Sequence, residues 1–345
     1  MYFLPVTIIL STFSIFTFYY TLKNRKEKLE KHFFINEILI GFLFLLAGIL
    51  FPFMIQVHSP NLSQSTLNFL WIFTSSLLTI EMVILVYIII KNMIISKKDP
   101  AIMAKRDYSE FCKEIKENRI YDLKSDIGRK LLHLFTVFVI FFFWIIGIIL
   151  ENLGVFNQFG GLDAYSFAYW LIITIGFAFV IMFQIADLTR LNTFYAIPNW
   201  ARNWYCKSMK DDELETFVAS TPMVLSFVPF IFLPFPLFAT IALITAGADG
   251  AAAVIGMKFG NHKFNSNSDK TIEGYIAGGI STFIIVIIMY LLFQDILDYD
   301  LTRAIWMAIV ATIIFLLIDA FAKNFCDNML NPLLIGLGLF IIYLL

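Results

Sequence analysis

The chain has 345 residues, 59% of them hydrophobic and only 15% charged, with a mean hydropathy of +0.80. A water-soluble domain carries roughly a quarter charged residues, so this composition excludes a soluble protein, and apolar runs of about 20 residues point to an integral membrane protein. The formal net charge of −1 provides no basic field for nucleic acid, and Cys112, Cys206 and Cys326 are too scattered for a zinc site or a disulfide framework.

In chain order, apolar windows predict an all-α polytopic protein with about ten transmembrane helices, at 2–22, 33–57, 69–95, 131–150, 166–186, 217–233, 235–257, 274–293, 304–322 and 332–345. The first window lacks a basic start and a small-residue cleavage site, so it reads as a retained helix rather than a signal peptide. The third holds Glu81 at mid-depth. A charge there costs ~2.5–3.5 kcal/mol or more, so Glu81 is expected to be protonated or bonded to a neighbouring helix. Residues 96–128, including "SEFCKEIKENRIYDLKSD", form the one sizeable polar insert and predict an amphipathic helix at the membrane surface. The sixth and seventh windows are parted only by "PFIFLPFP", where Pro229, Pro234 and Pro236 predict a tight hairpin. The tenth is short enough to be re-entrant. Three parts emerge: an N-terminal three-helix extension at 1–95, the insert at 96–128, and a membrane core at 129–345.

With ten crossings, every lysine and arginine except Arg303 falls on one face. Basic loops are retained in the cytosol, so that face is expected to be cytosolic.

Polar residues interrupt the later spans at this same face. "DIGRKLLHL" places Arg129, Lys130 and His133 at the mouth of the fourth span, with Arg129 and His133 on one helical face. They suit a positive-inside anchor or a polar site. "QIADLTRL" sets Asp187 and Arg190 three apart, close enough to pair, as an interfacial salt bridge or a functional couple. Asp249 lies nine residues before Lys258, or ~13 Å into the helix. Gly247, Gly250 and Ala251 to Ala253 surround it, as in a helix-packing seam with a neutral aspartate or a carboxylate held charged by a divalent cation. The loop after it favours the cation. It holds Gly256, Lys258, Gly260, His262, Lys263, Lys270, Thr271, Glu273 and Gly274. Glycines open backbone N–H groups to phosphate oxygens, lysines add positive charge, and Thr271 can cap a helix whose positive end faces an anion. Asp327 and Asn328, before Pro332, are hard oxygen donors suited to Mg²⁺, or a polar turn. No Walker loop and no G-x-G-x-x-G is present.

At these residues the chain resembles the CTP-using lipid enzymes. The carriers are "D-x-A-A-A-x-x-G-x-x-F-G" from Asp249 to Gly260 and "K-T-x-E-G" from Lys270 to Gly274. "R-K-x-x-H" from Arg129 to His133 and "D-N-x-x-x-P" from Asp327 to Pro332 resemble the polyprenol kinase branch, which includes dolichol, phytol and CTP-dependent diacylglycerol kinases, more than phosphatidate cytidylyltransferase. The resemblance starts near Arg129. Ala248 replaces a usual glycine, Asp319 a usual glutamate and Tyr275 a usual small residue.

The resemblance implies transfer of the γ-phosphoryl group of CTP to an isoprenoid lipid alcohol drawn from the bilayer. Mg²⁺ would sit on Asp249, Asp327 and Asn328. Gly256, Lys258, Gly260, Lys263, Lys270, Thr271, Glu273 and Gly274 would hold the nucleotide. Arg129 and Lys130 would steady the transferring group. Asp187, held by Arg190, would orient the alcohol, with His133 as the second candidate. Phosphatidate cytidylyltransferase, diacylglycerol kinase and a transporter or scaffold are the competing readings. The membrane would be the endoplasmic reticulum in a eukaryote and the plasma membrane in a prokaryote.

Overall fold

A computed structural model of the chain describes residues 1–24, 31–58, 60–99, 102–103, 106–118, 123–209, 211–263, 270–321 and 325–345. The longer helices are α1 (Leu4–Lys23), α2 (Lys31–Met54), α3 (Gln64–Lys98), α4 (Tyr108–Asn118), α5 (Leu123–Asn152), α6 (Ala164–Asn192), α7 (Asn199–Ser208), α8 (Ser220–Ser226), α9 (Phe235–Leu243), α10 (Asp249–Phe259), α11 (Ile272–Phe293), α12 (Leu301–Phe321) and α13 (Asp327–Leu344). One π-helical turn, Ile244–Ala248, joins α9 to α10. Among the described residues the architecture is all-helical, and the extended pairing consists of a single bridge, Lys263 to Thr271. Side-chain caps mark several starts. Ser63 accepts from Thr66 N–H at 3.2 Å before α3, and Asp163 from Ser166 N–H at 2.7 Å before α6.

Nine described segments are long and apolar enough to cross a bilayer. Large apolar side chains such as Ile8, Phe16, Ile84, Ile280 and Leu292 lie half or more exposed on them, as a lipid-facing surface requires. The expected sixth span, at 217–233, is corrected. Its helical part runs only from Ser220 to Phe230, 11 residues, or about 16 Å against a hydrocarbon core of about 30 Å. Pro222, Pro229 and Pro234 withhold the N–H groups that a continuous helix needs.

Contacts divide the chain into two compact units, Met1–Tyr121 with Gly147–Leu225, and Asp122–Ile146 with Ser226–Leu345. In the first unit, α1 and α3 are bonded into α6. Gln184 Nε2 donates to Thr17 Oγ1 at 2.8 Å, Trp170 Nε1 to Thr74 Oγ1 at 2.9 Å, and the Thr74 and Thr174 hydroxyls meet at 2.9 Å. Hydrogen bonds of this kind contribute about 0.6 kcal/mol each between membrane helices, so residues 1–95 are a working part of this unit. Glu81 is half-buried on α3, and its Oε2 has no hydrogen-bond partner among the described residues.

The polar insert differs from expectation in what covers it. α4 is amphipathic, but Phe111 and Ile115 are buried in a protein cluster with Phe194, Ile197, Tyr205 and Leu214 rather than laid on lipid. Burial also pushes the Cys112 thiol above its ordinary range.

In the second unit, α11, α12 and α13 pack through small residues. A Cβ on Gly336 would stand 2.5 Å from the Phe230 ring, so glycine is required for the 226–234 stretch to lie against the middle of α13. Trp144 of α5 stacks on Phe235 at 5.4 Å, and Phe293 meets both rings at 5.1 and 6.0 Å. These rings close the end of the unit opposite the 260–271 loop.

Candidate functional site

The π-helical turn sets the geometry of Asp249. The eight residues from Phe235 to Ala242 are all buried, whereas none of α10 is. A wider turn adds a residue to the repeat and rotates the next stretch of helix, a device that is frequent at functional sites. It delivers Asp249 at the first position of α10, among Gly247, Ala248 and Gly250. A Cβ on Gly250 would meet nothing within 4 Å, so that neighbouring position on α10 is unpacked.

Lys130, 119 residues earlier on α5, donates its ammonium to Asp249 Oδ2. The side chains are 9% and 16% exposed. This is the principal contact between predicted site residues that the structure adds: the sequence proposes each member but not the pair. His133, one turn further along α5, is buried. Arg129 belongs to the α5 backbone, and its side chain lies outside the described residues.

The loop after α10 is clipped at its base. Ile272 N–H donates to the His262 carbonyl at 2.8 Å, His262 N–H donates to the Glu273 carboxylate at 3.3 Å, and the His262 ring meets Glu273 Oε1 at 2.7 Å. Thr271 caps α11 by accepting from Gly274 N–H at 3.3 Å. Lys270 leaves the loop for the C-terminal end of α12, donating to Asp319 Oδ1 at 2.5 Å and to the Asp319 carbonyl at 2.8 Å. A cation is favoured at that negative helix end. Lys258, its ammonium 5.3 Å from the Phe259 ring centroid, and Lys263 are exposed. Residues 264–269 lie outside the described residues.

The glycines have a use beyond phosphate binding. A Cβ on Gly274 would lie 2.6 Å from the Ala252 carbonyl, and one on Gly260 would lie 2.2 Å from the Gly256 carbonyl. A Cβ on Gly256 would approach Thr271 Oγ1 to 2.9 Å. These three glycines let α10, the loop and α11 close around Thr271. Glu273 likewise fastens the loop through His262.

At the start of α13, Asn328 N–H donates to Asp327 Oδ1 at 2.8 Å, and the Asn328 side chain is buried. Asn331, which the sequence reading does not single out, is a buried polar residue on the same helix. It is 6% exposed, and its Oδ1 accepts no hydrogen bond among the described residues. Pro332 cannot donate to the Asn328 carbonyl in the helical pattern. The available signal is a second asparagine directly before proline in "DNMLNP".

Among the described residues no three His, Cys, Asp or Glu side chains cluster as a ready-made metal cage. Mg²⁺ does not require one, because it is commonly held by one or two carboxylates and completed by substrate phosphates and water. Asp249, nearly enclosed and paired through Oδ2 with Lys130, supplies a carboxylate of the kind that mode uses.

Asp187 and Arg190 belong to the first unit, and there the sequence expectation meets a correction. Both side chains are fully enclosed. Asp187 Oδ1 accepts from Arg190 Nε at 3.2 Å and Tyr205 OH at 3.0 Å, and Oδ2 accepts from Val218 N–H at 2.8 Å. Arg190 donates to the Leu214 carbonyl at 2.9 Å, Tyr108 OH at 3.2 Å and the Thr216 carbonyl at 2.5 Å. Burial pushes the Tyr108 and Tyr205 hydroxyls above the ordinary phenol range, so both remain protonated. With these partners Asp187 has no exposed oxygen for an alcohol. The pair clamps α4, α6, α7 and the 214–218 segment.

Nine apolar segments among the described residues make an integral membrane protein, and its family is one of CTP-utilising lipid enzymes. The chain belongs to the cytidylyltransferase family, whose sequence profile matches residues 119–323. That match takes in Lys130, Asp249, the loop and Asp319, and ends before Asp327. No curated protein and no solved structure matches the chain.

Proposed function

We propose that the protein transfers the γ-phosphoryl group of CTP to the hydroxyl of a polyprenol-type lipid alcohol, in a Mg²⁺-dependent reaction at the cytosolic face of its membrane. The observation that carries this reading is the nearly enclosed Lys130–Asp249 pair, with Asp249 at the start of the helix that leads into a clipped loop whose lysines are directed to the Asp319 carboxylate and to solvent. Phosphoryl transfer asks for position and charge neutralisation more than for covalent help from the protein. Asp249, with Asp327 and Asn328, would hold Mg²⁺, which would supply positive charge to offset that of the triphosphate. Lys258, Lys263 and Lys270 bind the triphosphate, and Lys130 and Arg129 steady the transferring group. Asp187 and Arg190 act on stability alone. The acceptor's apolar tail stays in the bilayer.

The family match favours one second reading, attack by a lipid phosphate on the α-phosphorus of CTP to give a CDP-lipid. Products separate the two. Purified protein is incubated with γ-labelled or α-labelled CTP and, in turn, dolichol, phytol, geranylgeraniol, diacylglycerol and phosphatidate. The kinase puts the γ-label on an alcohol and releases CDP. Cytidylyl transfer puts the α-label on phosphatidate and releases pyrophosphate, and that outcome alone would replace the proposal.

Lys270→Ala is expected to raise the KM for CTP by about tenfold, the equivalent of ~1.4 kcal/mol, with a smaller change in kcat. A KM equal to wild type would remove Lys270 from the nucleotide site and leave it as a tie to α12.

A further inference from the structure

Lys130 and Asp249 present an unusual combination. Each is the other's hydrogen-bonding and ionic partner among the described residues, and both side chains are nearly enclosed. Neither charge could be left alone at that depth without a large penalty. Yet the enclosure is not complete, since Asp249 keeps 16% of its side chain exposed and no residue of α10 is fully buried. A lysine side chain is long and its ammonium is a compact charge that can change partners. The same plan recurs at Lys270 and Asp319, where a loop lysine covers a carboxylate at the end of α12.

We propose that Lys130 stands in for the divalent cation in the metal-free protein. Its ammonium holds the Asp249 side chain in place, and it transfers to a phosphate oxygen when metal and nucleotide arrive together. The inference rests on the reading of this site as a metal–nucleotide site and adds an order to it. Metal alone has to displace an ammonium that has nowhere favourable to go, and two cations then crowd a poorly solvated pocket. Nucleotide supplies anionic oxygens for the displaced ammonium. Metal and CTP are therefore positively coupled, and by linkage each tightens the other by the same factor. Lys130 is a positioning residue with two stations.

The test reads metal binding rather than turnover. Full-length protein in lipid nanodiscs is titrated with Mn²⁺, and free Mn²⁺ is followed by electron paramagnetic resonance, with and without CTP and with no lipid acceptor. In wild type, CTP is expected to tighten Mn²⁺ by about tenfold or more, within the usual range for coupled sites. Lys130→Met and Lys130→Gln are both expected to bind Mn²⁺ alone about tenfold tighter than wild type, with most of the CTP enhancement lost. Adding Asp249→Asn to Lys130→Met is expected to cancel the gain. Two lysine variants guard against one that fails to fold, and monodispersity in the nanodisc is checked for each. Metal-alone affinity that is unchanged or weaker in both lysine variants overturns the proposal, as does a gain that survives Asp249→Asn. A site that does not take CTP shows itself separately, as a wild-type titration that CTP leaves unmoved.

Discussion

Asp249→Asn is expected to lower kcat by about 10³-fold or more, with a folded protein remaining. The substitution keeps the shape and removes the charge. Losing one electrostatic contact to a developing transition-state charge commonly costs 10²–10³-fold, and here the lost group is also the proposed anchor of the metal. The structural cost is smaller than for a tightly packed ion pair. Lys130 loses the opposite charge but keeps a side-chain oxygen at the same place to donate to. The measurement is CTP turnover in nanodiscs, normalised to the monodisperse fraction. Turnover within tenfold of wild type in folded protein would remove Asp249 from the chemistry and leave the pair as a helix tie.

Arg190→Met is expected to act in the opposite way, with a large loss of stability and little direct effect on chemistry. The guanidinium is enclosed and serves Asp187, Tyr108 and the carbonyls of Leu214 and Thr216. Removing it strands the buried Asp187 charge and two carbonyls. Breaking one side of such a pair costs about 3–5 kcal/mol. Thermal unfolding in detergent reads the loss directly. Asp187→Asn combined with Arg190→Met is expected to destabilise by less than the two single losses added together, because the double variant leaves no stranded charge. Arg190→Lys rescues little, since one ammonium cannot span four acceptors held in a fork. If Arg190→Met left the melting temperature unchanged and abolished turnover, the clamp would be a catalytic pair after all.

These two variants mark where sequence reading succeeds and fails. Asp187–Arg190 and Lys130–Asp249 look alike as text: a carboxylate and a cation near a membrane interface. The first pair is local, three residues apart, so its contact is legible. Its enclosure is not, because that depends on Tyr108, Tyr205 and Val218 arriving from other segments. The second pair spans 119 residues, and no periodicity can report it. The glycines of the loop show a related limit. Their spacing suits phosphate binding, while the close approach of Ala252 to Gly274 becomes visible only when α10 meets α11. Asn331 is within reach, but an asparagine before a proline at a helix start reads as a turn until its burial is known.

Residue order alone is enough to establish an all-helical membrane protein whose polar residues concentrate after Arg129 in a CTP-family pattern. Apolar runs and residue spacing are local properties, and the bilayer's thickness converts the first directly into spans. Packing decided that the 217–233 stretch forms no continuous span, that α1 and α3 are bonded into α6, and which carboxylate is sealed and which meets a lysine from a distant helix. Burial and pairing depend on neighbours brought together from distant positions, and those neighbours exist only once the helices pack.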